Sequence, residues 1–258
     1  MPRQMMGTVD KALSLMRHFS LQSPEFGLSD LARAANMDKA TTLRCLTALE
    51  RNGFVEQDIT SRKYKVGVSP LHLAQIRERS FPVESVIAES LEGLAFALGE
   101  TAHGTLLAGP DPVTVAVSSP DRALFVHVHP SSAMPWHATA SGIAIGAHMP
   151  PEAQDALLQR VDFAAFTQDT PARAAQLQQA WDRCRQSGIA RAVSTFEDDV
   201  TGTAVPIFGQ AGFAIGAIAV ASVSMRTDAA LQQQIDAQLQ PLARRITTEI
   251  GGTLPQRR

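Results

Sequence analysis

Residues 28–66, LSDLARAANMDKATTLRCLTALERNGFVEQDITSRKYKV, decide the fold of the first quarter of the chain. They read as two short helices followed by two short strands. Ser29 stands where an N-cap belongs, with Leu31, Ala32 and Ala35 at helical spacing behind it. Asn36 falls at a sharp turn, where an asparagine tolerates left-handed backbone. The second helix is expected over 39–51. Leu43, Leu46 and Leu49 form its buried stripe, with Thr41, Arg44, Cys45 and Arg51 outward and Gly53 closing it. Residues 54–57 and 63–66 then read as strands around the polar loop 58–62, and Tyr64 and Val66 alternate with Lys63 and Lys65. Two helices and a basic hairpin in this order fit a winged helix-turn-helix whose second helix enters the major groove of double-stranded DNA. Direct base contacts are expected from Lys39, Ala40, Thr41, Thr42 and Arg44. Ser29, Arg51, Arg62 and Lys63 complete the expected DNA-binding set, with Arg51, Arg62 and Lys63 on phosphates. Read blandly, the same residues are an amphipathic helical pair with solvated charges.

Charge supports the DNA reading. Residues 1–80 hold 12 Lys and Arg against 8 Asp and Glu, a net of +4, whereas residues 81–258 hold 11 against 17, a net of −6. A polyanion partner is therefore expected for the first part alone. In 258 residues, 45% hydrophobic and 19% charged content suits one large or two modest globular domains. Cys45 and Cys184 have no CxxC neighbour, so neither a zinc motif nor a disulfide framework is expected. No signal-peptide core and no bilayer-spanning apolar run is visible, and the expected location is the cytoplasm.

Upstream, residues 9–19 make a helix with a broad apolar face that should pack under the other two. Downstream, Pro70 opens a helix that Pro82 interrupts, and 83–98 resumes as a longer one ending near Gly99. The domains are thus expected as 1–69, a helical linker 70–82, and 83–258. In the last, 101–108, 113–119, 124–129, 189–196, 202–208 and 213–223 read as strands. Residues 139–148, 151–160, 171–188 and 231–250 read as helices, with Pro241 bending the final one. The fold class is α+β, with a largely antiparallel sheet in the second domain.

Several segments carry a family resemblance: TVDKALSLMRHFS at 8–20, the helix-turn-helix stretch itself, KYKVGVSPLHLA at 63–74 and LEGLAFALGETAHGTLLAG at 91–109. MPWHATASGIAIGA at 134–147, RQSGIARAV at 185–193, TAVPIF at 203–208 and GAIAVASVS at 216–224 continue it. In order and spacing the chain resembles the IclR family of bacterial transcriptional regulators over nearly its whole length. The resemblance implies a winged helix joined by a helix to a GAF-like effector-binding domain. It also implies a homodimer, often a dimer of dimers, that represses or activates catabolic operons from a palindromic site. It places a small-molecule effector pocket at the start of helix 139–148. Expected pocket residues are Phe125, His127, Trp136, His137, Thr139, Ala140, Ser141, Gly142, Ile143, Glu197, Gly202, Ala219 and Ala221.

The chain departs from the family pattern at Ile143, where a lysine is frequent, at Gly202, where some members have a cysteine or serine, and at Ala219 and Ala221, where many have serines. Small apolar residues there should enlarge the pocket. They turn the expected effector from a two- or three-carbon oxo acid toward an aromatic or longer-chain carboxylic acid. No cofactor is expected. His127 and His129, with His103, His137 and Glu197–Asp199, could form a metal or acid–base site, and a metabolite-hydrolysing or metal-binding enzyme is the alternative reading. Ser131, Ser132 and Ser141 have no GxSxG or phosphate-loop setting, so the expectation is no enzyme.

Overall fold

The computed structural model describes residues 7–130 and 133–255. Its contacts divide the chain into two compact units, the first running to Phe81 and the second beginning at Pro82.

In the first unit the order is α1 (Thr8–Met16), β1 (Glu25–Phe26), α2 (Leu28–Ala34), α3 (Lys39–Arg51), β2 (Val55–Gln57), β3 (Tyr64–Val66) and α4 (Ser69–Ser80). The α2–α3 turn passes through Asn36 at φ 50°. Asp38 caps α3 by accepting the Thr41 N–H at 2.8 Å. The other end closes on Gly53 at φ 71°, where Phe54 N–H bonds Leu49 C=O and Gly53 N–H bonds Glu50 C=O. That pair of bonds is a Schellman turn, and it aims the chain into β2. Leu15, Leu31, Cys45, Leu46, Leu49, Val55 and Tyr64 form the core beneath.

Four local expectations change here. Ser29 lies inside α2, whose N-cap is Gly27. The hairpin gains a third strand, in antiparallel order β1-β3-β2. Two residues are too few for a periodic signal, and β1 exists only because β3 offers it an edge. The inner stripe of α3 is Thr42, Cys45, Leu46 and Leu49, while Leu43 is 44% exposed. The helix is thus rotated from the expected orientation, because the 42/45/46/49 set meets α1, α2 and β2 together. Helix α1 ends at Met16 and buries only Leu15 fully. Val9 and Leu13 face outward, as do Leu71, Leu73 and Ile76 on α4, which buries none of its residues.

The second unit contains α5 (Val83–Leu98), β4 (Thr101–Ala108), β5 (Asp111–Ser118), α6 (Ala140–Ala147), α7 (Pro151–Arg160), α8 (Ala174–Ser187), β6 (Ala190–Val193), β7 (Val200–Phe208), β8 (Ala214–Val223) and α9 (Ala229–Glu249). One fully antiparallel sheet runs β5-β4-β8-β7-β6. Helices α5 and α9 cover one face, with Ile87, Leu91, Ile218, Val220 and Leu239 between them. Helices α6 and α8 cover the other, around Ile145, Leu177 and Trp181. Pro241 lies within α9 without ending it.

Residues 124–129 are not a strand. They run as a strap over the α6 face of the sheet, joined to β4 by Thr101 Oγ1 donating to Val126 C=O at 2.6 Å. Along the strap Val126 is buried and Val128 half-buried while His127 and His129 are exposed, and all four border a cavity. Among the described residues no helix is long and apolar enough to cross a membrane.

Candidate functional site

Two sites emerge, one in each unit. On the first, the exposed face of α3 carries Lys39, Ala40, Leu43, Arg44 and Thr47. Positions 40, 43, 44 and 47 make one helical stripe. The Asp38 carboxyl that caps the helix is held below its usual range, first by the Thr41 backbone N–H and then by the Thr41 hydroxyl. Arg44 Nη2 donates to Thr41 Oγ1 at 3.1 Å, which orients the guanidinium on this face. Thr42 cannot be a base contact: it is fully buried and its hydroxyl donates to Asp38 C=O. Leu43 and Thr47 take that place on the surface. The helical period alone leaves the rotation open, and the rotation singles them out.

In the wing, Arg62 is exposed at the tip in left-handed backbone, and Asp58 holds the tip closed by accepting the N–H groups of Thr60 and Ser61. Lys63 pairs with Glu25 on β1, and Lys65 with Glu56. Lys63 is therefore a half-neutralised cation, a consequence of the unexpected strand. Ser29 is partly exposed in the first turn of α2, and Arg51 is exposed at the end of α3.

The second site is a cavity of about 190 Å³ between the sheet, the start of α6, the strap 126–129 and the β6–β7 loop. Cross-strand register builds its floor. Thr101, Ala221, Gly202 and Ala192 lie in one row across β4, β8, β7 and β6, and His103 and Ala219 begin the next. Of the expected pocket residues, His127, Thr139, Ala140, Ser141, Glu197, Gly202, Ala219 and Ala221 line it. The apolar wall comes from Val126, Met134, Phe196 and Val200. A Cβ at Gly202 would stand 3.3 Å from Ala140 Cβ, so the glycine lets α6 approach the sheet.

Five expected residues do not line the cavity. Ile143 and Trp136 are packed in the α6–α8 core, with the Trp136 ring facing Arg160. His137 is buried against Phe163 and Phe166, its Nε2 3.0 Å from Ala164 C=O. Phe125 lies on the strap beside His127. Gly142 is wedged against the chain itself: a Cβ there would be 2.7 Å from Trp136 Cα. On α6 helical rotation decides the outcome for Gly142 and Ile143, since Ala140 and Ser141 are the α6 residues that line the cavity.

The start of α6 is the polar end of the cavity. Thr139 Oγ1 accepts from Gly142 N–H and donates to Pro135 C=O. Ile143 N–H bonds Thr139 C=O. The N–H groups of Ala140 and Ser141, the first two of the helix, have no intrahelical acceptor and sit at the positive end of the helix dipole. Thr195 Oγ1 donates to Ala138 C=O at 2.7 Å, fixing this turn against the β6–β7 loop.

The lining residues include no Lys or Arg. His103 is 6% exposed, and burial pulls its pKa down to about 4, so the ring is neutral. Among the described residues its Nδ1 has no partner, and its Nε2 is 3.5 Å from Ser141 Oγ. His127 and His129 stand edge to face at 4.4 Å on the exposed mouth, with Glu197.

The Ser141–His103 pair does not make a hydrolase site. The contact is long, the histidine is a poor base, and among the described residues no carboxylate is hydrogen-bonded to it. Ser131 and Ser132 lie outside the described residues. Among the described residues no group of three or more His, Cys, Asp or Glu side chains is placed to hold a metal. Cys184 is buried, its thiol pushed up to about 12.

Comparison with known proteins covers both units. Residues 8–58 match the family described as IclR helix-turn-helix domain, and residues 78–248 match Bacterial transcriptional regulator IclR C-terminal. The chain is 24% identical over 244 residues to the HTH-type transcriptional regulator XynR of Escherichia coli (strain K12), covering 95% of this chain and 97% of that one. A crystal structure from Silicibacter sp. TM1040, described as an ICLR transcriptional regulator, superposes with a TM-score of 0.93 at 35% identity, covering 97% and 99% of the two chains. An IclR homologue from Microbacterium hydrocarbonoxydans complexed with 4-hydroxybenzoate shares the fold, with a TM-score of 0.74 at 20% identity over 95% and 99%. With a DNA-reading winged helix and an effector domain matched in order along the chain, this protein belongs to the IclR family of bacterial transcriptional regulators and is not an enzyme.

Proposed function

We propose that this regulator binds one carboxylic acid with an apolar body, aromatic or longer-chain, in the cavity of its second unit. Occupancy changes its affinity for a palindromic operator. The observation that carries this is the cavity's polarity. Two backbone N–H groups without an intrahelical acceptor, of Ala140 and Ser141, stand at one end of a space whose walls include Val126, Met134, Phe196, Ala219 and Ala221, with His103 in its floor and His127, His129 and Glu197 at its mouth. A carboxylate suits the helix start, and an apolar body suits the rest. A volume of about 190 Å³ is in the range that holds a single aromatic ring. The Microbacterium homologue holds 4-hydroxybenzoate, an acid of this class. Calorimetry with benzoate, phenylacetate, glyoxylate and pyruvate tests the reading. The aromatic acids should bind, and tight binding of glyoxylate alone would overturn it.

On the DNA side, Lys39, Ala40, Thr41, Leu43, Arg44 and Thr47 read bases, while Ser29, Arg51, Arg62 and Lys63 hold phosphates. Leu43 would meet a thymine methyl. One helix reads too few bases for a unique target, so the working form is a homodimer, with a dimer of dimers as the larger assembly. The exposed Val9, Leu13, Leu71, Leu73 and Ile76 support α1 and α4 as the dimer surface. The domain division follows as a DNA-binding unit, α4 as the connecting helix, and an effector unit from residue 83. The protein works in the cytoplasm, where its DNA is. Coupling requires that the acid bind the DNA-competent and incompetent arrangements unequally.

A further inference from the structure

Of the described sheet residues that line the cavity, His103, Ala192, Val200, Gly202, Ala219 and Ala221, only His103 has a polar side chain; Thr101 stands beside Ala221 in the register but does not line the cavity. Thr101 is spoken for, since its hydroxyl donates to Val126 C=O. His103 is not. It is more than nine-tenths buried, and among the described residues its Nδ1 has no partner and its Nε2 has only the 3.5 Å approach of Ser141 Oγ. That separation exceeds a good hydrogen bond, so whichever tautomer is present the imidazole is under-bonded. Burial keeps the ring neutral, so Nε2 is a donor in one tautomer and an acceptor in the other, and a carboxylate, which only accepts, answers just the first. A neutral hydroxyl both gives and takes a hydrogen bond. An oxygen about 2.8 Å from each atom fits against two atoms spaced as His103 Nε2 and Ser141 Oγ are.

Ser141 also sets the spacing. Its backbone N–H belongs to the carboxylate end of the cavity, and its side chain is one arm of the hydroxyl site. Both polar groups of the ligand must therefore reach a single residue. A hydroxyl on the carbon next to the carboxylate, or ortho to it on a ring, meets this condition. A para hydroxyl lies across the whole ring and does not.

We propose that His103 and Ser141 form a specificity-determining pair that selects a 2-hydroxy carboxylic acid, one with hydroxyl and carboxylate adjacent and an apolar body behind them. This deepens the acid-binding reading of the cavity and rests on it. Ligands without the hydroxyl leave His103 and Ser141 under-bonded, which is how buried polar groups discriminate strongly.

The test is calorimetry on the full chain with matched probes: mandelate against phenylacetate, and salicylate against benzoate and 4-hydroxybenzoate. Mandelate and salicylate should each bind at least about tenfold tighter than the parent acid, and 4-hydroxybenzoate should gain nothing over benzoate. In His103→Leu the ratio should collapse toward one while the parent acids still bind; His103→Gln, which keeps a donor and an acceptor, should retain part of it. Equal binding of each pair by the unaltered protein, a para preference, or a ratio that survives His103→Leu overturns the proposal while leaving the cavity an acid site. If none of these acids binds at millimolar concentration, the acid-binding reading fails and the proposal with it. The matched pairs on the unaltered chain decide the matter even if His103→Leu does not fold.

Discussion

Glu100 has no exposed surface, and Arg226 grips its carboxylate with Nε and Nη2 at 3.0–3.1 Å, although the two lie 126 residues apart in sequence. Arg122 approaches the same carboxylate at 3.8 Å. Glu100 sits between α5 and β4, Arg226 follows β8, and Arg122 opens the strap over the cavity, so one buried charge ties three segments around the effector site. Removing Arg226 leaves that charge with only the distant Arg122. Arg226→Ala should destabilise the protein by about 3 kcal/mol, and Glu100→Gln by less, since it leaves no buried charge behind. Urea unfolding of both variants checks the order.

Base reading and phosphate holding should separate by substitution. Arg44→Ala should cost about 1–3 kcal/mol at one base position of each half-site. Arg62→Ala should weaken binding to all sequences and lower the salt slope by about one. Lys63→Ala should lower that slope less, because Glu25 already neutralises part of its charge. Operator titrations at several salt concentrations measure all three. An unchanged specificity in Arg44→Ala would mean α3 is not the reading helix.

Two substitutions near the cavity should behave oppositely. Gly142→Leu has no room, since its Cβ alone would meet Trp136 Cα at 2.7 Å and Pro135 O at 2.8 Å. It should lower the melting temperature sharply rather than act as a selective block. Ala221→Leu projects into the cavity from the floor and should abolish acid binding with little loss of stability. Thermal melts run beside calorimetry distinguish the two outcomes.

Acid should weaken the fold through His103. Its native pKa of about 4 lies below the ordinary 6.5, so between these values the unfolded chain binds a proton that the native chain refuses. The associated stability is intact above pH 6.5, falls as pH drops toward 4, and levels off below. The whole interval corresponds to roughly 3 kcal/mol. His148, also pulled down by burial, adds in the same direction. Denaturation at pH 7, 5.5 and 4.5 should show a shallower decline in His103→Leu than in the unaltered protein.

The exposed leucines and isoleucine of α4 should matter to assembly. Leu73→Glu with Ile76→Glu places two charges on the proposed dimer surface, both residues being about half exposed. Sedimentation should show the pair of changes shifting a dimer toward monomer at micromolar concentration with the fold retained. A parent protein that is already monomeric would remove α1 and α4 as an interface.

What was legible in the sequence was whatever neighbours in the chain decide. The bounds of α5 at 83–98, β4 at 101–108 and α7 at 151–160 follow from apolar period and from Gly99 and the prolines, and Asn36, Gly53 and Gly188 mark turns whose left-handed backbone they adopt. Those signals act over a few residues, so no partner is needed to read them. Tertiary packing decided which side of a helix faces inward. On α3, position 42 is a threonine and position 43 a leucine, so hydropathy favours the wrong one; the triangle of α1, α2 and β2 turns Thr42 in and Leu43 out. The same holds at α6, where Ser141 meets the cavity and Ile143 the core. The cavity floor is the furthest from local information. His103, Ala192, Gly202, Ala219 and Ala221 come together only because antiparallel register places β4, β6, β7 and β8 side by side, and a shift of one residue would send each of them to the opposite face of the sheet.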